Sequence, residues 1–282
     1  DDSRIKSKNA TCVSLLTTQP IRPAQNQGDL MRKENVEQPF SPIYGYAYIT
    51  DAEEGLILTD IDTFLDGEAR NNFLTRALTW NENGVLNGAR HLTNAGYYFY
   101  ISTPKGVVVL DMRLPLTPKY VTTIAVPDPR AAQVQFRYLF VTTAKGLQVV
   151  DITDFAKPVV TAAGIPLKDA QKLHVARTYA YVAAGAEGLA IINPEAPSVY
   201  QMYTAKGALN DARDVTLATT NASLFAYVAD GKNGLKVLQL TSPRSQPKFY
   251  GFSPQPKPEL IATYQTAKPA IALSRALERD RA

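Results

Sequence analysis

Apolar residues in this chain come in short runs that recur, not in helical stripes. The clearest run begins at Phe225 as Phe-Ala-Tyr-Val-Ala, passes through Asp230-Gly-Lys-Asn-Gly234, and resumes as Leu-Lys-Val-Leu-Gln to residue 239. Near copies start at Tyr46 and Tyr179, and two with a shorter turn start at Tyr98 and Leu139. Each copy predicts an aromatic-rich strand, a tight turn closed by glycine, and a second strand. The turn glycines Gly55, Gly106, Gly146, Gly188 and Gly234 stand 51, 40, 42 and 46 residues apart. A hairpin returning at that period signals a propeller or an array.

Two further strands flank each hairpin. One precedes it, as in Ala170–Ala176 and Ala212–Ala218, and one follows a proline, as in Pro118–Val126 and Pro158–Ile165. Four short antiparallel strands rich in β-branched and aromatic residues make a propeller blade. The third strands, such as Gly106–Asp111 and Gly188–Ile192, are near-continuous apolar runs. Such runs imply a sheet covered on both faces, which blades stacked face to face supply. The hairpin glycine fits a position needing positive φ. Asp111, Asp151 and Asn193, closing the third strand, read as turn formers before the proline. The expected fold is all-β, a β-propeller of four-stranded antiparallel blades with five recognisable repeats and room for five to seven blades.

Residues 1–40 read as an extended arm, polar and broken by Pro20, Pro23 and Pro39, with only Cys12–Thr18 resembling a strand. The arm wraps a neighbour or stays mobile. Residues 41–282 form the propeller domain, with insertions at 62–88 and 241–258. Within the first, Asn71–Trp80 suits a strand or a short helix; the second is a Pro-rich loop of the kind that meets partners. The first hairpin lacks an obvious innermost strand, whereas Pro269–Leu277 resembles an innermost strand without a hairpin. Three outcomes stay open: the chain end closes the ring beside the first hairpin, the last blade is cut, or residues 271–282 form a helix.

Composition narrows the function classes. With 45% hydrophobic and 20% charged residues over 282, the chain has the make-up of an ordinary soluble globular protein. A net charge of +4, with basic residues scattered among acidic ones, excludes nucleic acid as an expected partner. No stretch reaches the ~18–20 apolar residues of a membrane span. The single cysteine, Cys12, makes no internal disulfide, and no haem-attachment or zinc spacing exists. The chain opens on Asp1-Asp2 without Met, which fits processing or a fragment; a removed signal peptide would account for it.

Candidate chemistry concentrates in the loop leading into each innermost strand: Leu86–His91, Val126–Ala131, Leu167–Lys172 and Leu209–Asp214. In a propeller these loops converge on one mouth of the central channel. Arg90, Arg130 and Arg213 would ring it, with Lys172 beside the Gln171 position and Asp128, Asp169 and Asp211 alternating. Guanidinium forks there grip anions or a protein partner; equally, each Arg pairs with the Asp of its own or the next blade and stitches the ring. His91 lies at the same mouth and His174 within an innermost strand. Both suit general acid–base work or a plain hydrogen-bonded wall. No nucleophile elbow, zincin helix or phosphate loop is present. Two histidines and one cysteine do not build a transition-metal centre. Asp60–Glu68 carries four carboxylates, but their spacing does not match an EF-hand loop; the alternatives are calcium and a solvated acidic turn.

The hairpins resemble the bacterial LVIVD-repeat family. The matching third strands are Leu56–Asp60, Val107–Asp111, Leu147–Asp151, Leu189–Asn193 and Leu235–Gln239, and the resemblance covers roughly residues 44–266. Asn193 and Gln239 depart from the final Asp, which would spoil a metal site there and which a turn tolerates. The resemblance implies a non-catalytic β-propeller outside the cytoplasm (periplasmic, secreted or on the cell surface) acting as a scaffold. Its partners would be proteins, among them a multihaem cytochrome or filament subunits, with no cofactor of its own. Two alternatives remain: a propeller hydrolase or lyase using His91, His174, Arg90 and Arg213, and a cell-surface adhesion module.

Overall fold

In the computed structural model the residues described are 4–16, 42–61, 70, 72–161, 164–194, 198–220, 223–247 and 253–274. The fold is an all-β β-propeller fold of four-stranded antiparallel blades, five of which are described. The chain divides into two compact units, Asp1–Asp128 with Asp154–Lys157, and Pro129–Thr153 with Pro158–Ala282.

The first unit holds blades 1 and 2. Blade 1 runs β1 (Ala10–Ser14), β2 (Tyr46–Asp51), β3 (Gly55–Asp60) and β4 (Thr75–Trp80), and blade 2 runs β5 (His91–Ala95), β6 (Tyr98–Thr103), β7 (Gly106–Asp111) and β8 (Lys119–Ile124). The second unit holds three blades. Blade 3 runs β9 (Ala131–Gln135), β10 (Tyr138–Thr143) and β11 (Gly146–Asp151), and its outermost position is shared by two short pieces, β12 (Val159–Val160) and β13 (Ile165–Pro166). Blade 4 runs β14 (Leu173–Ala176), β15 (Tyr179–Ala183), β16 (Leu189–Asn193) and β17 (Ser198–Tyr203). Blade 5 runs β18 (Asp214–Thr219), β19 (Leu224–Ala229), β20 (Leu235–Thr241) and β21 (Glu259–Tyr264). Within each blade neighbouring strands are consecutive and antiparallel.

Strand alternation gives every blade two different faces. The front face carries the aromatic pair of the second strand; the back face carries mostly small and aliphatic residues, with Phe99 in blade 2 as an exception. The clusters show how they meet. Tyr48, Leu56 and Leu58 of blade 1 pack on Leu92, Phe99, Ile101, Val108 and Leu110 of blade 2. Phe140, Leu147 and Val149 of blade 3 pack on Val175, Ala180, Val182, Ala190 and Ile192 of blade 4. Tyr181, Leu189 and Ile191 of blade 4 pack on Val215, Ala226, Val228, Leu238 and Leu240 of blade 5. Front meets back each time. Residues of β7 are all buried, as its unbroken apolar run requires.

Hairpin glycines do more than turn the chain. Gly188 has φ +80°, and a Cβ there would lie 2.4 Å from the Tyr203 carbonyl oxygen of β17. At Gly106, φ is +143° and a Cβ would fall 2.5 Å from the Ile124 oxygen of β8. Glycine therefore lets the outermost strand close over the hairpin. A bulge recurs at one repeat position between third and fourth strands, at Leu58/Thr59, Val109/Leu110, Ile191/Ile192 and Val237/Leu238. It bends the outermost strand.

Two expectations are corrected and one open alternative is resolved. The arm is not wholly outside the blades: Ala10–Ser14 pairs with β2 as the innermost strand of blade 1, so Cys12 lies in a strand opposite Thr50. That position is thereby filled by the arm and not by the chain end. Of the two alternatives for Asn71–Trp80, the strand is the one found, from Thr75, with Leu58 opposite Leu78. Most of the acidic stretch 60–68, arm residues 17–41 and tail residues 275–282 lie outside the described residues.

A buried carboxylate explains why a remote segment joins blade 1. Asp51 is fully buried at the end of β2. It accepts hydrogen bonds from the Ser7 hydroxyl, from Asn9 N–H at 2.7 Å, and from Glu53 and Glu54 N–H at 2.8 Å each. Burial pulls its pKa up, but the bonds from Ser7, Asn9, Glu54 and Glu53 outweigh that and hold it well below the usual carboxylate range. The Asp51 contribution is complete above the unfolded carboxylate pKa of about 4 and is lost as pH falls below it. Asp51→Ala is expected to destabilise by about 3 kcal/mol at neutral pH, with the gap to wild type narrowing below about pH 4. Urea unfolding of both proteins at several pH values measures this; a gap independent of pH refutes the linkage.

Candidate functional site

The lead-in loops place their cations beside carboxylates. In the first unit Arg90 Nη1 lies 2.6 Å from Asp128 Oδ1, the acid of the following loop. In the second unit Arg130 Nη1 lies 2.5 Å from Asp169 Oδ1, again one loop on, and also donates to the Ala170 carbonyl at 3.0 Å. At blade 4 the Arg position holds Gln171, whose amide donates to Asp169 of its own loop at 2.8 Å. Asp211 consequently has no guanidinium from the preceding loop and pairs with Arg213 of its own, at 2.5 Å. Lys172 reaches forward from the neighbouring position to Asp214, at 3.1 Å. The stitching reading describes these four cations.

The pairs differ in depth. Side chains of Arg213 and Asp211 are 43% and 27% exposed, whereas Asp214 is only 8% exposed. Burial raises the Asp214 pKa, opposed by the Lys172 charge and by hydrogen bonds from Leu273 N–H, Lys172 and Val215 N–H. Asp169 is also partly buried, yet the bonds from Arg130 and Gln171 lower its pKa. The carboxylates after the third strand act as turn formers: Asp111 accepts from Arg113 N–H at 3.0 Å, and Asp151 from Thr153 N–H at 2.8 Å.

His91 begins β5 in the first unit, half-buried and opposite Ser102. His174 is 7% exposed in β14, and its Nδ1 accepts the Leu217 N–H of β18 at 3.2 Å. That bond fixes the neutral tautomer with the proton on Nε2. One blade earlier Gln133 Oε1 takes the same place, accepting the Val175 N–H of β14 at 2.7 Å. Both residues occupy the front-facing row beside the second aromatic, Gln133 opposite Phe140 and His174 opposite Tyr181. His174 is therefore a bond between innermost strands of successive blades. Alignment of the innermost strands, with Gln133 over His174, carries that signal in the sequence. The Asp51 lock has no such signal, because Ser7 and Asn9 are single-copy residues.

Among the described residues no group of three or more His, Cys, Asp or Glu is arranged to hold a metal ion. No helix of the described residues is long and apolar enough to cross a membrane.

The family described as LVIVD repeat matches residues 43–62, 133–162, 168–204 and 222–251. No curated protein matches the sequence. Among solved structures, the β-propeller domain of Cps50 (Swd1) from Myceliophteria thermophila superposes with a TM-score of 0.60 at 13% identity, covering 93% of this chain and 74% of that one. The extracellular domain of BT4673 from B. thetaiotaomicron, described as a hybrid two component system, gives 0.54 at 13% identity over 94% of this chain. A second structure of that extracellular domain gives 0.51 at 15% identity over 78% of this chain. This chain spans only 29% and 26% of those two proteins. At these identities the likeness is one of fold.

Two outcomes are expected from substitutions here. Arg213→Ala should cost under about 1 kcal/mol, as for an exposed pair, whereas Lys172→Ala, which strands Asp214, should cost about 2 kcal/mol or more. Equal losses in thermal unfolding would refute this difference in depth. His174→Ala should cost about 1–3 kcal/mol by orphaning the Leu217 N–H, while His174→Gln, with the acceptor that Gln133 supplies, should recover most of it. No recovery by Gln would overturn the acceptor role.

Proposed function

Because the chain belongs to the LVIVD-repeat family, we propose that it is a non-catalytic β-propeller outside the cytoplasm that serves as a protein-interaction scaffold. One observation carries this reading. Outermost strands of the second unit end their sheets with exposed apolar side chains: Tyr200 and Met202 on β17, each 38% exposed, and Ile261 and Tyr264 on β21, 48% and 68% exposed. A strand at the end of a sheet offers unpaired backbone groups, and apolar side chains beside them suit strand addition by a partner.

Several of the residues suited to catalysis are engaged structurally. His174 holds a backbone N–H, and Arg90, Arg130, Lys172 and Arg213 face carboxylates. This supports the scaffold over a hydrolase or lyase at the lead-in loops. The partner we assign is a multihaem cytochrome of an electron-transfer assembly, an assignment that rests on the company such chains keep. The likeness to an extracellular domain is compatible with that placement and is one of fold alone.

The test is to purify the native protein and record what accompanies it, by mass spectrometry and by haem absorbance. The expected result is a haem-coloured partner that the double variant Ile261→Lys/Tyr264→Asp loses at least tenfold, with the melting temperature unchanged. Isolation of the wild-type protein as a colourless monomer would sink the proposal.

A further inference from the structure

Innermost strands of blades 2 to 5 are tied to their hairpins by short turns. Two residues separate β5 from β6, β9 from β10 and β14 from β15, and four separate β18 from β19. Between β1 and β2 stand 31, residues 15–45. No turn holds β1 in place. It enters blade 1 as a separate peptide would, into a seat built by other residues.

Contacts across that seat are directional and mostly polar. The Lys8 N–H donates to Glu54 Oε2 at 3.0 Å, and the Ala52 N–H donates to the Asn9 oxygen at 2.9 Å. The Thr11 hydroxyl donates to the Ala89 oxygen at 2.9 Å. The Arg76 guanidinium, 2.7 Å from Glu54, donates to the Lys6 oxygen. Ser7 and Asn9 supply two of the four donors on Asp51. Apolar packing of the arm is slight, since Val13 and Leu15 are each 63% exposed. All these partners lie in the first unit. The arm can therefore leave without baring much apolar surface of its own. An empty seat, by contrast, strips a buried carboxylate of two donors, which is costly. Stable forms are those with the seat filled.

Nothing in the seat requires that the arm come from the same chain. We propose that blade 1 is an acceptor site for residues 6–14 of a second copy, and that two copies exchange arms reciprocally. Reciprocal exchange keeps both seats filled and conserves every contact. Only effective concentration then favours a chain's own arm, and it is about millimolar for short links and falls as the connection lengthens. The exchanged pair accordingly forms as protein concentration approaches that order. Reach is sufficient, because 31 residues span up to roughly 100 Å. One arm and one seat per copy close the pair with two-fold symmetry. This site is independent of the partner and of the β21 edge assigned above.

The register of β1 supplies a reporter, because Cys12 stands opposite Thr50, whose side chain is fully buried. Wild-type full chain is mixed with a mass-tagged Cys12→Ser/Thr50→Cys form and oxidised with oxidised glutathione. Only an arm seated in the other copy brings the position 12 thiol to position 50. A disulfide between copies joining those positions, identified by peptide mass spectrometry, should rise at least tenfold between about 10 μM and about 1 mM. A Cys12→Ser/Lys105→Cys form, with its thiol on an exposed turn, reports random collision and should give several-fold less. Should Thr50→Cys not fold, the adjacent register pair Val13→Cys and Ile49→Cys, each with Cys12→Ser, takes its place. Absence of the mixed disulfide at about 1 mM overturns the proposal. So does a yield no higher than that of the Lys105→Cys form.

Discussion

A four-stranded sheet with apolar residues on both faces is stable only when both faces are covered, and this requirement governs the molecule. The repeats meet it with unlike faces, a front with two aromatic rings and a back mostly of Ala, Val, Ile and Leu, with Phe99 the aromatic exception in blade 2. Rings enter the shallow surface that small residues leave. Burying one such ring contributes about 3 kcal/mol, against about 1 kcal/mol or less for an exposed ion pair. Stability therefore resides between blades and not in the charged loops. The hairpin glycines serve the same requirement at the other margin, allowing the outermost strand to lie close over the turn.

Apolar packing does not set register, because it is non-directional. Directed bonds from the innermost strands do. Gln133 and His174 each take a backbone N–H of the next innermost strand, so one residue of slip would orphan a buried donor. Asp51 does the corresponding work for β1, which arrives from a segment separated from its hairpin by some thirty residues. Four donors meeting on one carboxylate compensate for the length of that connection. These acceptors carry little of the packing energy and much of the specificity.

This division explains what was legible in the sequence. Five aromatic hairpins with a glycine at a steady spacing disclose the blade and its four strands, because covering two faces demands the same residue types each time. The innermost strand of blade 1 was hidden because Ala10–Ser14 lies far from β2 in the sequence. The bulge after the third residue of strand three was also invisible, since it alters backbone pairing and leaves composition alone. His174 stood out as a titratable group, although Gln133 at the same row already pointed to an acceptor that need not titrate.

The charged loops show how a repeat tolerates drift. Arg90 and Arg130 reach one loop forward, a pattern that Gln171 interrupts and that Arg213 resolves by turning back to Asp211. Pro269 stands where the next loop would carry its acid, so a forward partner for Arg213 is missing from the sequence itself. The pairings shift because each is weak, partly exposed and replaceable, unlike the apolar face-to-face contacts, which recur between blades 1 and 2, 3 and 4, and 4 and 5. A feature that changes partner from copy to copy without disturbing the blade is poorly suited to defining a binding site. The parts that depart from the repeat, notably the exposed β21 edge, are free to differ, and recognition of a particular partner requires surface that is not repeated.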